Sequence, residues 1–192
     1  MTTVFDVANT LVYFSLKCDD EPCTNMRLNK LLYFAQGHAL EQLGSPLFDA
    51  DFEAWEFGPV APDIYHKYKY CGNNPISAVD DEFDPNGLPP ELANLLAEVS
   101  VKYEQYSTSA LIGISHQPGS PWSETPRGGV ISVEAIKKWF NRPEIKLVPL
   151  GERMRKLGVA PLEVLPSGWH DPDDDDYWAG EVNALERASA QN

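Results

Sequence analysis

"FEAWEFGPVAPDIYHKYK", residues 52–69, begins as a half-buried strand, halts at a Gly-Pro turn and resumes with helical spacing. Phe52 and Ala54 alternate as strand residues do. Pro59 has no N–H to give a ladder, so the strand is predicted to end there, while Pro62 is suited to open a helix through Asp63, Ile64, Tyr65 and Tyr68. Upstream, "PLFDADFEAWEF" (46–57) holds two short apolar pieces around Asp-Ala-Asp and reads as a small β-hairpin. The stretch is thus a strand-turn-helix corner stiffened by two prolines. Its aromatic content fits three roles: a catalytic cleft, a surface for another protein, or a packed corner that serves only the fold. Trp55 suits core and interface anchor equally well.

Helices flank this corner. Val4, Val7, Ala8, Leu11 and Phe14 recur at three- and four-residue steps and predict a helix to about Lys17. Thr24 is the expected N-cap of a second, whose Leu28, Leu31, Leu32, Ala35, Ala39 and Leu43 form a broad apolar stripe before Gly44. Residues 71–90 are rich in turn formers and read as a surface connection. Pro89 and Pro90 then open a helix through Leu92, Leu95, Leu96, Val99 and Tyr103. Ser107 or Thr108 caps "SALIGISH", and Ser132 opens a last helix that buries Ile136, Trp139 and Phe140. The fold class is therefore mainly α, a compact helical domain at 1–142 with a small β-hairpin. An extension at 143–168 and an acidic tail at 169–192 follow; the tail is expected to be solvated and to add little to folding, because its few apolar groups cannot offset the entropy of ordering it.

The chain has 192 residues, enough for one domain with a sizeable core. A formal charge of −14 opposes polyanion binding, so nucleic acid is not an expected partner. The N-terminal "MTTVFDVANTLVYFSLK" lacks a basic n-region and carries Asp6 and Asn9 within its apolar run, so neither a signal peptide nor a membrane span is read there. A cytoplasmic location with reduced cysteines is the expectation.

Signals for chemistry are thin. Cys18 and Cys23, with His38 and Cys71, have looser spacing than structural zinc knuckles, and "DPDDDD" lacks the spaced ligands of an EF-hand. His38, His66, His116 and His170 come with no GxSxG, HExxH, GxGxxG or GxxxxGK(S/T) motif. No catalytic residue, metal or cofactor is assigned, and His38 and His116 read as hydrogen-bonded structural residues. Arg27 and Lys30, one turn apart on the second helix, with Tyr33 and Phe34 a turn further on, form either a solvated edge beside the core stripe or a cationic-aromatic patch of the kind favoured at protein interfaces.

Three segments, "MRLNKLLYFAQG" (26–37), "PLFDADFEAWEFGPVAPDIYHKYK" (46–69) and "STSALIGISHQPGSPW" (107–122), resemble in order and spacing the Panacea antitoxin domain of SocA-like and phage-associated GepA-like bacterial proteins. The matching positions are Lys30, Leu31, Leu32 and Tyr33, then Phe52, Ala54, Trp55, Gly58, Pro59, Val60, Pro62 and Tyr65, then His116, Pro121 and Trp122. The resemblance implies a mostly helical fold with a small hairpin and an antitoxin that neutralises a co-encoded toxin by direct binding. Arg27 stands where the family pattern has a first lysine. Arg27, Lys30, Tyr33, Phe34, Pro59, Pro62 and Tyr65 become the candidate toxin-binding residues. Alternatives are an adaptor that delivers a toxin to a protease and, more distantly, a metal- or His-dependent enzyme; a protease or chaperone and a second copy of the chain stay open as further partners.

Overall fold

A computed structural model describes residues 2–17 and 22–142. The expected extension at 143–168, the acidic tail at 169–192 with its aspartate run, Cys18 and His170 lie outside the described residues. Within them the protein is mainly α with a small antiparallel sheet. In chain order come α1 (Val4–Ser15), α2 (Asn25–Gln42), β1 (Phe52–Trp55), β2 (Gly58–Val60), α3 (Pro62–Tyr68), a 3-10 turn at Lys69–Cys71, α4 (Pro90–Tyr103), α5 (Thr108–Ser115), β3 (Val130–Ile131) and α6 (Val133–Phe140).

The helices start where short polar side chains can accept their first free amides. Thr24, Ser107 and Ser132 accept from the backbone N–H of Arg27, Ala110 and Ala135, and Thr3 with Asp6 makes a reciprocal capping box on α1. Proline at the first position opens α3 and α4, where a missing N–H costs nothing. None of the described helices is long and apolar enough to cross a membrane.

Helix α2 is the axis of the domain, touching α1, α3, α4, α5, α6 and β2. Every residue from Asn25 to Leu40 is buried, so the broad apolar stripe expected for it understates its environment. Its polar side chains stay inside by bonding to backbone groups of other segments, the condition on which polar groups are tolerated in a core. Gln36 shows the pattern: its amide donates to the Phe48 carbonyl (3.2 Å) while its Oε1 accepts from the Leu47 N–H (2.8 Å), pinning the chain that leads into β1. At Gly37 the approach of α6 is so close that a Cβ would lie 2.3 Å from the Phe140 ring.

The hairpin differs from the expected one. Its second strand is Gly58–Val60, beyond the turn, and Pro59 sits inside it opposite Ala54 rather than ending the strand. An edge strand tolerates proline when its outward side needs no donor, and here the Pro59 carbonyl is used instead. A third strand, Val130–Ile131, pairs with Phe52 and Glu53 on the other side of β1 and gives the order β2-β1-β3. Two residues enclosed by a Gly- and Pro-rich loop carry no periodicity, which is why the sequence shows no strand there.

Candidate functional site

The Gly58–Tyr65 corner creates a backbone problem that α2 solves. Prolines at 59 and 62 stiffen the chain but interrupt regular pairing, so the buried Pro59 carbonyl and Ala61 N–H, and with them the Tyr65 carbonyl of short α3, are met by other partners. Three α2 side chains on one face provide them. Asn25 donates from Nδ2 to the Tyr65 carbonyl (3.0 Å), Asn29 accepts the Ala61 N–H at Oδ1 (2.9 Å), and Lys30 donates from Nζ to the Pro59 carbonyl (2.9 Å). Asn29 also donates from Nδ2 to Oδ1 and the carbonyl of Asn25, so the two amides orient one another. These contacts form a polar clasp under the corner.

The other side is held by the segment after α5. Trp122 donates its indole N–H to the Trp55 carbonyl (2.7 Å), Ala54 donates to the Gly129 carbonyl (2.9 Å), and Gly128 donates to the Ala54 carbonyl (2.8 Å). His116 lies flat on Trp122, with ring centroids 3.5 Å apart and an interplanar angle of 5°. Burial, and after it the Lys30 charge, pushes the His116 imidazole down to about 4, so the stacked ring is neutral near pH 7. Gly58 makes the clasp geometrically feasible. Its φ of +101° is left-handed backbone that disfavours any side chain, and a Cβ there would stand 2.7 Å from Ser115 Oγ and 3.2 Å from Lys30 Cε and Nζ.

The aromatic corner faces inward. Trp55 is 4% exposed and meets Tyr65 edge to face with centroids 4.9 Å apart, and with Val60 these two make a small cluster separate from the main core. Trp55 Nε1 donates to Glu53 (2.8 Å), which ties the indole's polar edge at the rim.

The expected cationic-aromatic patch needs correction, because Arg27, Lys30, Tyr33 and Phe34 are all inside. Arg27 donates from its two terminal nitrogens to the carbonyls of Tyr106 (2.7 Å) and Tyr103 (3.0 Å), capping the C-terminal end of α4. Tyr33 packs edge-on against Phe34, Phe52 and Phe140, and Phe34 stacks on Tyr103 at 4.6 Å. Pro59 and Tyr65 are buried and Pro62 is half-buried, so the corner presents to solvent its edge rather than its rings. Asp63 and His66 are exposed beside Pro62, and Glu56 pairs with Arg127 on the hairpin turn. A groove of about 370 Å³ runs along this edge, lined by Asp49, Ala50, Asp51, Glu53, Ala61, Pro62 and Asp63.

Among the described residues, the sequence candidates for metal binding, His38, Cys23 and Cys71, are not brought together. His38 has both ring nitrogens engaged, Nδ1 with Glu41 (3.2 Å) and Nε2 with the Tyr103 hydroxyl (3.0 Å). Burial pushes the Tyr103 phenol well up, so it stays protonated and donates to Nε2, leaving the Nδ1 proton for Glu41. Cys23 is buried, its thiol pushed up to about 12 chiefly by that burial, and Cys71 is half-buried. Among the described residues, no group of three or more His, Cys, Asp or Glu side chains is placed to hold a metal ion. The clasp residues Asn25 and Asn29 are not among the sequence candidates; their i, i+4 spacing, which puts two asparagines on one side of α2, is the signal that points to them.

Residues 28–123 match the family model described as "Antitoxin SocA-like, Panacea domain". The chain belongs to this family. The match to the Panacea model begins inside α2 and ends just past Trp122, so it encloses the corner, Asn29 and Lys30 beneath it, and the His116–Trp122 stack behind it. Over 120 residues the Panacea chain is 33% identical to "Antitoxin SocA" of Caulobacter vibrioides (strain NA1000 / CB15N), an alignment covering 57% of this chain and 63% of that protein. It thus spans less than two thirds of that curated relative's length. No solved structure matches the chain.

Proposed function

We propose that this protein is an antitoxin that neutralises a partner toxin by direct, stoichiometric protein–protein binding, with no reaction of its own. The observation that carries the reading is the extent of the family match, which encloses the clasped corner and its supports. Physical reasoning supports the same role. A segment held by two prolines and by side-chain bonds at Trp55, Pro59, Ala61 and Tyr65 has little freedom left to lose on binding. A preformed edge of this kind suits protein recognition better than catalysis, which needs titratable groups gathered at a cleft.

The toxin-facing surface in this proposal is the outer edge of the corner: Pro62, Asp63 and His66, with the groove bounded by Asp49, Asp51 and Glu53. In this reading Lys30, Pro59 and Tyr65 support that edge from inside, Tyr33 backs β1 through Phe52, and Arg27 and Phe34 serve the packing of α4 against α2; none of the six is placed in the contact itself. The carboxylates favour a toxin with a basic contact surface, and long-range attraction between the two raises the association rate more than the final affinity. The test is co-expression with the product of the adjacent reading frame, scored by rescue of growth and by recovery of the complex. Charge reversal at the edge, Asp51→Lys with Asp63→Lys, is expected to weaken neutralisation at least 10-fold while stability falls by no more than about 1–2 kcal/mol, most of it from placing a cation in the first turn of α3. Full neutralisation by that variant would place the toxin on another face.

A further inference from the structure

We draw no further inference here: the strongest candidate, the apolar groove of about 220 Å³ that α1, α2 and α4 form around Leu11, Phe14, Leu31, Ala97 and Val101, carries none, because nothing in the structure shows what covers it.

Discussion

Replacing Gly58 by alanine tests the clasp with a single methyl group. Two costs combine at this position. The backbone is left-handed, φ +101°, and holding a non-glycine residue in a sparsely populated region costs about 1–3 kcal/mol. The new Cβ would also lie 2.7 Å from Ser115 Oγ and 3.2 Å from the Lys30 amine. Ser115 is buried and its hydroxyl donates to the Ile112 carbonyl (2.8 Å), so it cannot rotate away without losing that bond. Lys30 can yield only by loosening its hold on Pro59, and a hydrogen bond from a charged donor contributes about 1.5–3 kcal/mol. The total is about 3–5 kcal/mol. For a chain of this size that corresponds to a melting point lower by roughly 6–20 °C. Thermal and urea melts of Gly58→Ala, Ser115→Ala and the double variant separate the two costs. Removing the Ser115 hydroxyl should return part of the loss, giving a coupling of about 1 kcal/mol between sites in direct contact, while the backbone strain remains. A Gly58→Ala melt within about 2 °C of the parent, or a double variant that adds the two single losses, would show that the clasp does not constrain the corner.

Trp55→Ala should cost about 3–5 kcal/mol, because it empties a site that is 4% exposed and removes the Tyr65 contact; a loss under about 1 kcal/mol, measured by urea denaturation, would place the indole outside the core. Lys30→Glu sets a carboxylate against the Pro59 carbonyl oxygen and should destabilise by about 3 kcal/mol or more, whereas Lys30→Met, which keeps the stem, should cost less; circular-dichroism melts of both check the order. Stability should also fall with acidity. His38 is pushed down to about 3 by burial and then by Lys102, and His116 to about 4 by burial and then by Lys30, against about 6.5 unfolded. The unfolded chain therefore takes up protons that the folded chain refuses, so the stability is full above pH 6.5 and is lost as pH falls toward 4. From pH 7.5 to 5 the loss is about 2 kcal/mol at His38 and less at half-buried His116; urea midpoints unchanged over that range would contradict the neutral assignment of both rings.

The helices and the corner were legible because their signals are local. Thr24, Ser107 and Ser132 each cap the helix that the sequence assigns to them, and Pro62 opens α3 as its fixed φ suggests. Strand β3 was not legible, since its pairing with Phe52 and Glu53 spans almost 80 residues and leaves no trace in a two-residue segment. The candidate site was half legible. Residues 52–69 were recognised as the unusual stretch, and the resemblance picked out Lys30, His116 and Trp122, which the structure gathers round it. The inward orientation of Arg27 and Lys30 differs from the expected surface patch for a physical reason. Periodicity assigns polar helical residues to solvent, yet on α2 Asn25, Arg27, Asn29, Lys30 and Gln36 turn inward to satisfy backbone groups that prolines, a helix end and an irregular segment leave without partners. Nothing in the local pattern distinguishes a lysine facing water from one facing a carbonyl across the core.

The most direct measurement is titration calorimetry of the purified full chain against the product of the adjacent reading frame, run beside a toxicity assay at the same ratios. Direct neutralisation requires a saturable complex of fixed stoichiometry, and toxicity that disappears at that same ratio. Toxicity abolished at a small fraction of that ratio would mean turnover, and toxicity abolished with no heat of binding and no complex recovered would mean that the toxin is not held at all; either result contradicts an antitoxin acting by direct binding.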